Sequence, residues 1–279
     1  MVGERRALPR ALMTAALYLF VIFLALPFIW LILTSFKSSG EIITQGGSFF
    51  PKTFTLENYV TAFRDERIVE TALNTFKVSV LSALLTLIVA TPAAYVLARR
   101  PGGLNRPVVG WIVVSQAFPL ILIIIPLFLL LNRLSLANTH LGLILVYMVW
   151  SLPFVIWMLR GYVQNIPVEL ELAAAIDGAN HVRIILQILI PLILPGLVAT
   201  GLYAFINAWN EFFFALVLLQ SPELQTIQVN LARFRGVEGL ARWGPLAAGS
   251  VIATIPTLIL FGFMQRGLVS GLLTGGVKQ

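Results

Sequence analysis

Tyr203, Asn207, Asn210 and Glu211 stand at i, i+4, i+7 and i+8 in a stretch that is otherwise apolar. On a helix this spacing gathers them on one face, and polar groups at membrane depth must face protein or water. Amides and carboxylates hydrogen-bond hydroxyls, and an aromatic ring such as Trp209 can cover the apolar side of a ring-shaped solute, so this face can line a path for a hydroxyl-rich molecule. The rival reading has Asn207 and Asn210 tying neighbouring helices together, at about 0.6 kcal/mol each. Gln116, Trp150 and Phe154 lie near Pro119 and Pro153, where helices can kink. They are further candidates for the path, or for packed core.

Bond-making chemistry has no visible home. No G-x-x-x-x-G-K run followed by Ser or Thr exists, so the chain holds no ATP in a P-loop. The two histidines, His140 and His181, sit in different loops without H-E-x-x-H spacing, and no metal site is expected. With no cysteine, disulfides and thiolate sites are excluded. Glu211 is the single deep carboxylate, whereas an ion-coupled carrier usually places several ionisable or unwound sites at that depth.

A second patterned segment runs from Arg160 to Pro195. Pro167 suits a first helical turn, Glu169 and Glu171 lie where a positive helix end favours carboxylates, and Ala173 to Ala175 are strong helix formers. The pattern predicts a helix over 167–177. Gly178 then permits a sharp reversal and Asn180 caps a following helix. The small residues Ala173, Ala174 and Gly178 let another protein's surface approach the turn closely.

The elements that must position these groups are membrane helices. Hydrophobic residues make up 58% of the 279 and charged ones 11%, and mean hydropathy is +0.91, which excludes an ordinary soluble domain. Apolar runs predict six spans, about 12–36, 78–98, 108–131, 141–160, 195–219 and 244–265, within a single domain. The first is too long for a cleaved leader and is read as a retained span. Arg5, Arg6, Arg10, Arg99, Arg100 and Arg106 flank one side, against Arg133 in the loop after span three. Both termini are therefore expected in the cytoplasm. The net charge of +7 is read as membrane topology, with no nucleic-acid partner needed. Loops 37–75 and 220–242 then face outward, and 165–190 faces the cytoplasm. In the first outer loop Leu56, Tyr59, Val60 and Phe63 predict a surface helix whose apolar face rests on span ends or headgroups.

The spacing around Ala173 resembles the inner-membrane permease subunits of binding-protein-dependent ABC importers. Their signature is Glu-Ala-Ala, three residues, Gly, nine residues, Ile, one residue, Leu-Pro. Ala173, Ala174, Gly178, Ile188 and Pro191 match it, with Ile190 in the Leu place. The pieces LPFIWLILTSFKSSGEI, FTLENY, AAYVLARR, IPVELELAAAIDGA, FINAWNEF and QRGLVSGLLTGGVKQ extend the likeness along most of the chain, towards the carbohydrate branch typified by the maltose-transporter permease that lacks an extra N-terminal domain.

The resemblance implies an all-α membrane protein of about six transmembrane helices, with a cytoplasmic coupling helix between spans four and five. It implies an ATPase-coupling surface of Glu171, Leu172, Ala173, Ala174, Asp177 and Gly178; the polar face itself, not the resemblance, offers Tyr203, Asn207, Trp209, Asn210, Glu211 and Gln116 as a path for a sugar, a site that in relatives can sit mostly in the other permease subunit. Implied partners are a second, different permease, two ATPase subunits that bind the ATP and Mg²⁺, an external sugar-binding protein, and lipid of the cytoplasmic membrane. No cofactor is implied for this chain itself. One departure stands out: the signature's Glu falls on Leu172, with Glu171 one residue earlier, about 100° away on a helix. The rival functions are a carrier or channel independent of ATP, and a non-transporting scaffold. On the coupling reading, Gly178→Arg inserts normally into the membrane while abolishing transport; normal uptake in that variant would refute the lever.

Overall fold

Every long apolar run is helical in the computed structural model, which describes residues 4–44, 48–64, 67–99, 105–234 and 242–275, and no strand occurs among them. In order come α1 (Glu4–Ser35), α2 (Ser39–Thr44), α3 (Glu57–Arg64), α4 (Ile68–Arg99), α5 (Asn105–Gln116), α6 (Leu120–Arg133) and α7 (His140–Gln164). They are followed by α8 (Glu169–Ile176), α9 (His181–Ile184), a π-turn (Ile185–Leu189), α10 (Ile190–Leu192), α11 (Leu194–Asn210), α12 (Phe213–Leu218), a 3₁₀ turn (Pro222–Leu224), α13 (Ile227–Arg233) and α14 (Trp243–Gly275). Leu12–Ser35, α4, α7 and Trp243–Phe263 are each long and apolar enough to cross a bilayer. Two bent pairs bring the total to six when each counts as one span. The all-helical membrane architecture expected from hydropathy is the one observed, because helices alone satisfy their backbone groups locally without water. Arg100 and residues 235–241 of the expected second outer loop lie outside the described residues.

Two expected spans are interrupted. The third is not straight: α5 and α6 meet at 99° around Pro119, whose backbone is extended (φ −63°, ψ 118°). A proline disfavours helical geometry in the residue before it, here Phe118, and so ends α5. Pro153, the other expected kink, lies inside an unbroken α7. The fifth span bends by 80° between α10 and α11, and α11 starts at Leu194, one residue before the expected Pro195. Its helix stops at Asn210 rather than continuing to Leu219, because Glu211 turns extended (ψ 134°) before α12 begins.

The chain divides into two compact units, Met1–Ile68 with Leu231–Thr254, and Val69–Asn230 with Ile255–Gln279. Within the first, the expected apolar stripe of α3 is not the face that packs. Leu56, Val60 and Phe63 are exposed, and the buried residues are Asn58 and Ala62. Asn58 accounts for this: its Nδ2 donates to the carbonyls of Ser35 (3.0 Å) and Lys37 (2.7 Å), acceptors left open as α1 ends.

Within the second unit, Val78, Leu143, Tyr147, Phe214, Leu218 and Val229 share one core, and α7 packs on α5, α11 and α12. Residues 220–230, expected as a solvated loop, are instead folded in. Gln225, Thr226 and Asn230 are buried, Asn74 Nδ2 donates to the carbonyls of Glu223 (2.8 Å) and Gln225 (3.2 Å), and the Ile227 N–H donates to Thr75 Oγ1 (2.8 Å). Polar side chains at the head of α4 thus replace water for that backbone.

Gly196 of α11 packs directly on Tyr162 of α7, where an added Cβ would lie 2.5 Å from the ring. Gly196→Ala is expected to lower stability by about 1–3 kcal/mol through overpacking. Gly161→Ala, whose Cβ would meet nothing within 4 Å, serves as the control in thermal unfolding of the detergent-purified protein.

Candidate functional site

The segment 165–190 forms the helix, turn, helix that its sequence predicts. α8 occupies Glu169–Ile176 and ends in a closed turn: the Ala179 N–H donates to Ala174 O (2.9 Å) and the Gly178 N–H to Ala175 O (3.1 Å). This paired bonding needs a left-handed residue between the two helices, and Gly178 supplies it at φ +85°. Asn180 then caps α9, its Oδ1 accepting the Arg183 N–H at 2.8 Å. Leu172, Ala173, Asp177 and Gly178 are exposed and Ala174 is half-buried, so five of the six expected coupling residues lie on or beside one accessible turn. Ile176, at 87% exposure, extends that surface.

Glu171 departs from the expectation. It is buried, and its carboxylate turns inward: Oε1 meets Arg99 Nε at 2.7 Å and Oε2 accepts the Tyr95 hydroxyl at 2.8 Å. Arg99 Nη2 also donates to Ile166 O at 2.8 Å. Glu171 therefore does not supply an outward charge in place of the Glu missing at Leu172. One residue of helix separates them by about 100°, enough to send Glu171 inward while Leu172 stays exposed. Tyr95 and Arg99 were not identified as site residues from sequence, although both lie in the AAYVLARR piece. Their i, i+4 spacing at the end of an apolar run, with a buried-side carboxylate to satisfy, is the signal that could have found them.

The polar group of the fifth span also takes a different form. An open recess of about 340 Å³ is lined by Trp150, Ile206, Asn207, Asn210, Glu211, Phe212 and Phe213. Asn207 Nδ2 and Asn210 Nδ2 each bond back to their own helix, at Tyr203 O and Ile206 O (both 2.9 Å). Tyr203 stacks on Phe154, with ring centroids 4.1 Å apart. Tyr203 is not in the recess lining, and two further expected members lie elsewhere. Trp209 is 1% exposed and stacks on Phe205 in the core, and Gln116 is exposed at the end of α5, outside the recess lining.

Glu211 is off the helical face, since the helix has already ended. Its Oε1 accepts the Phe214 N–H (2.9 Å), and its Oε2 accepts the Ala215 N–H (3.2 Å) and the Tyr147 hydroxyl (2.8 Å). The carboxylate thus closes the open N–H groups of α12, where negative charge is favoured. Tyr147, buried on α7, is a partner that hydropathy could not separate from ordinary core.

Residues 87–273 match the family described as binding-protein-dependent transport system inner membrane component. A Streptomyces antibioticus protein described as an ABC transporter permease is 51% identical over 229 residues, 82% of this chain and 100% of its own length. The trehalose/maltose transport system permease protein MalG of Thermococcus litoralis is 35% identical over 279 residues, 99% of each chain. Among solved structures, a bacterial ABC transporter involved in the import of the acidic polysaccharide alginate matches with a TM-score of 0.81 and 26% identity, covering 95% of this chain and 98% of that one.

Removing the carboxylate at Glu211 opens two backbone donors and a buried hydroxyl. Glu211→Ala is expected to destabilise the protein by about 2 kcal/mol or more, whereas Asn210→Ala, at an exposed position, changes thermal stability little. Equal midpoints for the two variants would show that the carboxylate is not holding α12.

Proposed function

The chain belongs to the family of binding-protein-dependent transport system inner membrane components, and from that premise we propose that it is the permease subunit of an ATP-driven sugar importer of the cytoplasmic membrane. The observation that carries the coupling role is the turn at Gly178: an exposed, small-residue and apolar surface on a helix held firmly from behind. A surface presented this way suits docking into another protein. The partner ATPases, which carry the P-loop chemistry that this sequence lacks, receive it, and their closure on ATP moves α8 as a lever. On this reading the 165–190 segment and both termini are cytoplasmic, in keeping with the Arg-rich flanks.

The sugar class is drawn from relatives whose names specify trehalose, maltose and alginate transport. The recess beside Asn207 and Asn210, with Trp150 and Phe213 at its wall, offers the amide and aromatic groups that such solutes bind. A second, different permease completes the pore, and an external binding protein delivers the sugar. A carrier that works without ATP is the less favoured reading, because the one deep carboxylate already spends its oxygens on α12 and Tyr147.

Two measurements test the proposal. Ile176→Arg, at an exposed helical position free of backbone strain, is expected to leave membrane insertion intact while the ATPase subunits no longer co-purify; undiminished co-purification would refute docking at α8. In the reconstituted complex with its binding protein, ATP hydrolysis should rise with one or more members of a panel of maltose, trehalose and alginate oligosaccharides, and Asn207→Leu should alter that dependence. Silence toward every sugar tested would remove the substrate class.

A further inference from the structure

We propose that Glu171, Arg99 and Tyr95 form a strut within this chain that ties α8 to the end of α4, so that a displacement of α8 moves α4 with it. The inference rests on the coupling reading of α8 and adds the route by which the displacement enters the membrane. These are positioning residues, since none of them faces the docking surface.

The geometry has three parts. Glu171 is 7% exposed, yet both carboxylate oxygens are satisfied, by Arg99 Nε at 2.7 Å and by the Tyr95 hydroxyl at 2.8 Å. An exposed ion pair yields readily, whereas this one is sheltered on both sides, with side-chain exposures of 14% and 8%. Second, the same guanidinium reaches Ile166 O at 2.8 Å, so one side chain of α4 grips the segment at residue 166, ahead of α8, and again at residue 171 within it. Two anchor points resist rotation, which a single contact does not. Third, Tyr95 and Arg99 are one turn apart on the same face of a 32-residue helix.

Packing reinforces the tie. Tyr95 and Ala98 of α4 lie against the cluster of Val163, Leu189 and Ile193, together with Ile166 and Ile185. Leu172, Ile176 and Asp177 face away from the strut and are exposed. The helix therefore has one side that meets a partner and one that hands the motion on.

The absence of cysteine makes a direct test practical. Spin labels at Val96→Cys and Glu169→Cys, both exposed positions, report the α4–α8 separation by pulsed electron resonance in the full chain assembled with its ATPase partners in proteoliposomes. In the otherwise native chain one narrow distribution is expected, unchanged between the nucleotide-free and ATP–vanadate states. In Glu171→Gln or Arg99→Gln the separation should broaden and become nucleotide-dependent. Because the groups act as one unit, the double variant should be no worse than either single one.

A native separation that itself changes with nucleotide would overturn the strut, as would a Glu171→Gln chain indistinguishable from native. Should Glu171→Gln fail to accumulate in the membrane, Tyr95→Phe, which deletes one hydroxyl, decides by the same readout. Failure of the coupling reading is distinguished by Ile176→Arg: ATPase subunits that stay bound to it refute docking at α8 whatever the labels report.

Discussion

A backbone group shut away from water, whether by lipid or by packed protein, must find its hydrogen bond elsewhere in the protein, so a buried departure from helix has to be completed by some other part of the chain. This constraint explains where the polar side chains of this molecule are. At the end of α1, Asn58 takes the leaving carbonyls. At the break after α11, Glu211 takes the starting N–H groups of α12. Across residues 220–230, Asn74, Thr75 and Asn138 serve the folded-in backbone. Few charged residues are available, and several polar side chains near these breaks are occupied in this way.

The same constraint separates the two functional regions. The turn at Gly178 is closed by its own backbone bonds and leaves the side chains around it free to meet a partner. The recess beside Glu211 is the opposite case, because its carboxylate holds the architecture and its asparagines contribute only what their backbone bonds leave over. On the proposed reading, recognition at the first region is a matter of shape and apolar contact, and at the second of amide and aromatic groups set beside Glu211.

What could be read from the sequence follows from how local each feature is. Pro167, Gly178 and Asn180 act within a few residues of themselves, so the loop helix, its reversal and its cap were legible one residue at a time. The helical class was legible because the solvent dictates it. The inward turn of Glu171 was not, since it depends on Arg99, 72 residues earlier, and helical position alone cannot say which side will be covered. Trp209 and Tyr147 were illegible for a related reason: apolar runs mark what leaves water, without distinguishing a wall of the recess from the core behind it. The outer segment 220–230 misled because its polar residues suggest solvent, whereas its backbone is bonded to Asn74 and Thr75 at the head of α4.

Leu172 and Ile176 leave an apolar patch on a helix that lies outside the hydrocarbon in the proposed topology. Under the proposed docking, assembly covers this patch, while a subunit without its partners shows it to water. Surfaces of that kind are what chaperones and proteases engage. If these residues are the ones that meet the motor, they would also expose any orphan copy to removal.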